Sequence, residues 1–291
     1  MTTVSSLDRL STAEAADVLA LAASAEQADG VYPLSEDVVL RVRNGGGIHL
    51  LSRTPSGALA GYAFVDADAS GELVVHPEHR RRGHATALLA AAVTPTPAAG
   101  LGFWAHGDLP SARTFAEESG FTRARVLWQM RRSLADPLPE IPLPAGVTLR
   151  HFRPDHDERD WLGVNARAFA HHPEQGRWTL DDLRLREAEP WFDPAGFLLA
   201  VDIQDTLLGF HWTKVHDEDP PIGEIYVLGV DPGDHRRGLG AALSVAGLAY
   251  LAGRGLTRAM LYVDESNEAA VGLYRKLGFE IYQADVNYQR G

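Results

Sequence analysis

Apolar residues recur along the chain in two rhythms, short runs of strand length and longer stretches with helical spacing. Ser11-Thr12-Ala13-Glu14 sets a hydroxyl and, three residues on, a carboxylate before an alanine-rich stretch, which predicts a capped helix to about Ala28. Pro33-Leu34-Ser35-Glu36-Asp37 opens a second helix, and Asn44-Gly45-Gly46-Gly47 ends it. Residues 48–51 and 58–64 read as a hairpin turned at Pro55-Ser56-Gly57, 71–75 as a further strand and 86–93 as a helix. Later, 147–152, 197–202, 207–215, 225–230, 258–263 and 281–288 read as strands, with a helix over 157–169. Thr179-Leu180-Asp181-Asp182 caps another helix, and Glu265-Ser266-Asn267-Glu268 starts the last. Strands, a strand-loop-helix crossover and more strands predict an α/β (α+β) architecture, a mixed sheet flanked by helices.

The pattern occurs twice. Leu73-Val74-Val75 and Arg82-Gly83 repeat at one constant offset as Leu228-Gly229-Val230 and Arg237-Gly238. Ser119-Gly120-Phe121 returns as Leu277-Gly278-Phe279, the offset changed by only three residues. A duplication of this kind predicts two copies of one domain. The proline-rich stretch from Asp136 to Pro144 is stiff and extended, as a separator should be. The expected organisation is a first domain over 1–136, a linker over 137–145 and a second domain over 146–291.

Length and composition narrow the classes. At 291 residues, with ordinary apolar and charged fractions, the chain can bury two cores without staples. A net charge of −12 and no long basic run argue against nucleic acid and favour a cationic or neutral polar small molecule. The absence of cysteine excludes disulfides, cysteine nucleophiles and thiolate metal sites. The twelve histidines show no convincing metal spacing, so no metal is expected. No secretory leader pattern or apolar segment of membrane-spanning length is evident, so a cytoplasmic chain is expected, and a monomer.

The chemistry concentrates in Glu224-Ile-Tyr-Val-Leu-Gly-Val-Asp-Pro-Gly-Asp-His-Arg-Arg-Gly-Leu-Gly240, a strand, a turn and a helix start. Unpaired N–H groups at a helix start attract phosphate. Gly238 and Gly240 let the main chain approach an anion, and Arg236 and Arg237 add full charges. The glycine spacing is neither the Walker loop nor the dinucleotide fingerprint. It resembles the pyrophosphate loop of the GCN5-related N-acetyltransferases, Gln/Arg-x-x-Gly-x-Gly/Ala, with His235 in the first slot. That resemblance implies two tandem acetyltransferase domains, each a mostly antiparallel sheet flanked by helices, and acetyl-CoA as cosubstrate. It implies that Leu228, Gly229, Val230, His235, Arg236, Arg237, Gly238, Leu239, Gly240 and Ala241 bind the cofactor. Asn267, Glu268, Ala269, Ala270, Val271 and Gly272 would flank it. In the first copy the matching residues are Leu73, Val74, Val75, Arg81, Arg82, Gly83, His84, Ala85 and Thr86. Glu224 would accept the amine proton and Tyr274 protonate the leaving thiolate. At the constant offset Glu224 falls on Ala69, and Tyr274 aligns with Ala116, so the first copy is expected not to turn over. A solvated carboxylate and a core-edge tyrosine are the plainer readings of the two residues.

The second half carries a closer resemblance. Phe169-Ala-His-His-Pro-Glu174-Gln-Gly-Arg-Trp178, Glu189-Pro-Trp-Phe-Asp-Pro194, Gly209-Phe-His-Trp-Thr-Lys214, Leu261-Tyr-Val-Asp-Glu-Ser-Asn267 and Tyr274-Arg-Lys-Leu-Gly-Phe279 together resemble the mycothiol synthase family. This implies acetylation of the cysteinyl amine of desacetylmycothiol, with Glu36, Glu174, Lys214, Glu224 and Tyr262 contacting the acceptor. Read without the resemblance, Glu36 is an acid at a helix N-terminus, Glu174 a loop carboxylate and Lys214 an edge-protecting lysine. Two alternatives stay open: acetyl transfer to another amine (an aminoglycoside, a polyamine or a protein N-terminus), and a non-catalytic acyl-CoA-binding module.

Overall fold

The computed structural model describes residues 3–93, 100–171, 175–234 and 238–290. By contacts the chain divides into two compact units, residues 1–127 with 283–291, and residues 128–282.

In the first unit, β1 (Thr3–Leu7), β2 (Ile48–Arg53), β3 (Leu59–Val65) and β4 (Ser70–Val75) pair antiparallel in spatial order. β4 then runs parallel to β5 (Gly102–Ala105). α1 (Thr12–Asp29) and α2 (Glu36–Asn44) cover one face of the sheet, where Val18, Leu21, Ala22, Val38 and Val42 meet Leu51, Tyr62 and Phe64. The opposite face carries α3 (His84–Val93), whose Leu88 lies against Gly61. α4 (Pro110–Glu118) follows β5. The expected caps are present. Ser11 and Glu14 form a reciprocal capping box on α1, and Ser35 accepts from the Val38 N–H on α2.

The second unit repeats the plan. β6 (Thr122–Ser133) enters it at Trp128. β7 (Thr148–His151), β8 (Phe197–Val201), β9 (Leu207–His216) and β10 (Ile222–Val230) form an antiparallel run. β10 then runs parallel to β11 (Arg258–Asp264), which β6 flanks. α5 (Glu158–Ala168) and α6 (Leu180–Glu187) enclose a largely aromatic core on one face: Phe152, Trp161, Phe197, Phe210 and Trp212. α7 (Leu239–Gly253) lies on the other face. There Gly247 sits so close to the buried His211 ring that a Cβ would fall 2.0 Å from it. The proline-rich stretch is without regular structure, and its Leu138, Ile141 and Leu143 pack on this unit. α8 (Glu268–Lys276) is capped by Asn267, within the stretch expected to start it. Finally β12 (Glu280–Gln289) delivers Val286–Gln289 to the first unit, antiparallel to β5.

Three strands were not anticipated by the hydrophobic pattern. β1 is mostly exposed, β5 is only four residues long, and β6 alternates arginines with apolar residues and merges into the polar ground.

Candidate active site

β10 positions the site. Its ladder to β11 holds only at Gly223, Glu224 and Ile225, although both strands run on. On the β9 side the register slips between Ile225 and Val227, so Tyr226 is an extra, bulged residue. A bulge bends a strand and breaks its pairing. From Tyr226 to Val230 the edge of β10 beyond the β11 ladder is therefore open, and Leu228, Gly229 and Val230 line it. The strand ends where Asp231 turns the chain, its carboxylate accepting from the Gly233 N–H at 2.9 Å. Gly238 follows with φ +88°, a left-handed conformation that glycine adopts without strain, and starts α7 with Leu239, Gly240 and Ala241. His235, Arg236 and Arg237, predicted for the pyrophosphate, lie outside the described residues.

Glu224 and Tyr274 are both in the second unit and both buried. Glu224 pairs in register with Lys214 on β9 and Met260 on β11. Its side chain is on the sheet face that carries Lys214 and Trp212. Residues 259, 261 and 263 of β11 point the other way, into the cluster that holds Tyr274, Ile225 and Val271, with Leu228 against it. The carboxylate and the Tyr274 side chain thus stand on opposite faces of the sheet. Burial pushes the Tyr274 hydroxyl up to about 12, so the phenol keeps its proton. Its hydroxyl has no hydrogen-bond partner among the described residues.

The acceptor contacts implied by resemblance divide. Lys214 is buried beside Glu224, its ammonium 4.7 Å from the Trp191 ring centre and 5.2 Å from that of Tyr226. Tyr262 is 43% exposed, and its hydroxyl accepts from Gln129 Nε2 at 2.7 Å. Glu36 is the first residue of α2, in the first unit. Glu174 lies outside the described residues. Asn267 spends its side chain on the Ala270 N–H, and Glu268, Ala269, Ala270, Val271 and Gly272 form the first turns of α8. Two neighbours escaped the sequence reading. His216 Nε2 lies 2.7 Å from Glu224 Oε2, and Arg131 Nε donates to Gln129 Oε1 at 2.8 Å behind Tyr262. The signal for His216 is a histidine two residues beyond Lys214, and using it requires the strand register.

The first unit has the same wedge with different contents. β4 leaves β5 after Glu72 and Trp104. The resulting cleft, about 630 Å³, is lined by Leu73, Val74, Val75, Arg81, Gly83, His84, Ala85 and Thr86, with Phe115 and Ala116 of α4 opposite. Arg82 is exposed at the same loop, and Gly83 has φ +86°. His84 is turned inward, its Nδ1 2.9 Å from Ser52 Oγ. The Phe121 N–H reaches the Ala116 oxygen at 2.9 Å just as the Phe279 N–H reaches that of Tyr274 at 3.0 Å, so Ala116 is the counterpart of Tyr274. The bulge at Tyr226 shifts the other match by one residue. Through the β3 and β9 registers Glu224 corresponds to Ser70 rather than Ala69, and neither carries a carboxyl. Glu72 faces elsewhere: it accepts from the Ser35 N–H at 2.8 Å and lies 3.3 Å from His106 Nε2.

The profile of the Acetyltransferase (GNAT) family matches residues 160–279, which span Glu224, the glycine turn and Tyr274. Over almost its whole length the chain is 58% identical to the mycothiol acetyltransferase of Salinispora arenicola, covering 99% of this chain and 96% of the relative. It is 56% identical to that of Thermobispora bispora, over 94% and 95%. The chain belongs to the mycothiol acetyltransferase family. Its fold agrees with that of solved family structures. A GCN5-related N-acetyltransferase from Sphaerobacter thermophilus matches at 26% identity with a TM-score of 0.67, over 99% of this chain and 95% of that one. A tandem GNAT protein from the clavulanic acid biosynthesis pathway has a TM-score of 0.72 at 20% identity, over 99% and 98%. The chain is an acetyltransferase, and enzymes of the GNAT family take the acetyl group from acetyl-CoA. No described helix is long and apolar enough to cross a membrane.

Proposed function

We propose that the second copy transfers acetyl from acetyl-CoA to the cysteinyl amine of desacetylmycothiol, giving mycothiol and CoA. The supporting observation is the asymmetry between the copies. A buried carboxylate and a buried, protonated phenol flank the wedge in one, and Ser70 and Ala116 stand at the matching places in the other. The full-length likeness to mycothiol acetyltransferases supplies the acceptor.

The thioester carbonyl enters the open edge of β10, where main-chain N–H groups from Leu228 to Val230 polarise it. Glu224, directly or through a water, takes the proton of the attacking ammonium. The free amine then forms the C–N bond. As the C–S bond breaks, Tyr274 donates its proton to the departing sulfur. The second proton that the acylated nitrogen must lose returns to the Tyr274 oxygen, leaving a neutral amide and the proton on Glu224 to be released to water. Binding amine and thioester together supplies much of the rate. Lys214, Tyr262, Glu36 and Glu174 contact the sugar and inositol oxygens or the ammonium, for which carboxylates, an ammonium and a phenol are suited. Along the chain, residues 1–136 carry the acetyltransferase-like copy that does not turn over, 137–145 the linker and 146–291 the catalytic copy, although the compact units begin and end elsewhere, at Trp128 and Gln283. The cleft of the first copy takes acetyl-CoA without using it. The protein works as a monomer in the cytoplasm, without metal or nucleic acid.

The test is purified protein with acetyl-CoA and a panel of amines. Desacetylmycothiol is expected to be acetylated with kcat/KM at least ~100-fold above an aminoglycoside, a polyamine or a peptide N-terminus. Comparable rates on one of those acceptors, or none on desacetylmycothiol, would overturn the acceptor while leaving the fold intact.

A further inference from the structure

Among the described residues, one side chain holds Glu224. Ile222 pairs with His216 and Glu224 with Lys214, so His216 is the diagonal neighbour of Glu224 on the same face of the β9–β10 hairpin. From there its Nε2 reaches Glu224 Oε2 at 2.7 Å, a charge-assisted length. The ring keeps 25% of its surface in contact with solvent, and the carboxylate keeps 7%. Glu224 Oε1 takes no hydrogen bond from a described residue, and it is not sealed from solvent.

We propose that His216 is the positioning residue of the transfer site: its Nε2–H fixes one oxygen of Glu224 as carboxylate and turns the other toward the amine, or toward the water before it. This rests on the reading of Glu224 as proton acceptor. A buried carboxylate with no donor is costly to keep ionised, and its free side-chain torsions would let it turn away. His216 meets both needs from the rim of the site, without touching either substrate. The other titratable or charged groups around the pair are Lys214 on β9, Tyr226 on β10, and Arg258 and Tyr262 on β11. Arg186 and Glu189 follow from α6 and the segment after it, and Asp217, Glu218 and Asp219 from the hairpin turn. Arg186 is engaged with the Tyr226 hydroxyl at 2.9 Å and Arg258 with the Pro220 oxygen at 3.2 Å. Among the described residues, His216 is the side chain in hydrogen-bond contact with the carboxylate.

The experiment compares His216→Ala, His216→Gln and Glu224→Ala in the full chain, with desacetylmycothiol and acetyl-CoA across pH. Losing a hydrogen bond to a charged group is expected to lower kcat about tenfold or more in His216→Ala, with KM for acetyl-CoA unchanged. The acid limb of kcat/KM should move up by about half a unit or more. His216→Gln retains an N–H donor and should recover kcat to within about threefold. A His216→Ala enzyme with kcat within twofold and an unmoved acid limb, beside an impaired Glu224→Ala, would overturn the role of His216 alone. Full activity in Glu224→Ala would overturn that role and the reading beneath it together.

Discussion

At the scale of single residues, two environments underlie the proposed chemistry. Glu224 is a carboxylate that the fold removes from water and then supports through one histidine. Tyr274 is a phenol kept protonated by burial, which suits a donor and not a base. Glu224→Gln is expected to lower kcat by ~10²–10⁴-fold, the usual worth of a general base, with acetyl-CoA binding near normal by calorimetric titration. Tyr274→Phe should lower kcat by ~10–100-fold, since a thiolate can leave without an acid, only more slowly. The sign of its pH dependence follows from the raised phenol: the proton is present at all lower pH and is lost only near 12. Wild type and Tyr274→Phe should therefore share the same alkaline limb of kcat/KM, and a limb near pH 9 that vanishes in the variant would contradict the assignment. Glu224 and Tyr274 could be read from the motif, because the glycine turn and the Gly278-Phe279 ending fix their places in the chain. His216 could not, because its link to Glu224 is a cross-strand diagonal. Nor could Ser70, because a one-residue bulge at Tyr226 is invisible to a constant offset.

At the scale of elements, the caps and glycine turns were legible and the sheet partners were not. A capping box is a local pattern, and Ser11 with Glu14 and Thr179 with Asp182 both close as expected. Pairing is long-range, so nothing in residues 283–291 announces that β12 belongs with the first unit. What fastens it there is polar. His106, after β5, is buried with Nδ1 2.9 Å from Asp285 Oδ2 and Nε2 3.3 Å from Glu72 Oε1. Asp285 also accepts from the Gly107 N–H at 2.8 Å, and the Tyr288 hydroxyl donates to Asp108 at 2.7 Å. Burial lowers the imidazole, but the two carboxylates outweigh it and push His106 up to about 10. His106 holds the carboxyl of Asp285 below its usual range against the opposing effect of burial. A raised histidine stabilises fully below its unfolded value near 6.5 and loses that contribution as pH rises through 10. A lowered aspartate stabilises above its unfolded value near 3.8 and loses that as pH falls. His106→Gln removes the cation between two buried carboxylates, so it is expected to cost about 3–5 kcal/mol. Scanning calorimetry should show a Tm several degrees lower at pH 6, with the gap narrowing above pH 10. An equal gap at both values would mean that the imidazole acts by packing and not by charge.

At the scale of the whole molecule, one plan is used twice and its chemistry once. Both copies keep the parting parallel strands and the left-handed glycine before a helix, Gly83 with φ +86° and Gly238 with φ +88°. Those features suit a pantetheine and its phosphates under the proposed reading, and they say nothing about turnover. The proton-handling pair does, and only the second copy has it. The net charge of −12 agrees with a small polar acceptor bearing an ammonium but does not choose it; the distinctive segments from Phe169 onward do that. The most direct test is the first-order rate of acetyl transfer to desacetylmycothiol in a single turnover, by a Glu224→Ala/Tyr274→Phe double variant saturated with acetyl-CoA. The expected result is a fall of ~10³-fold or more with the donor still bound, since the first copy has Ser70 and Ala116 at the matching places. A rate within about tenfold of wild type would place the reaction in other residues and contradict the account.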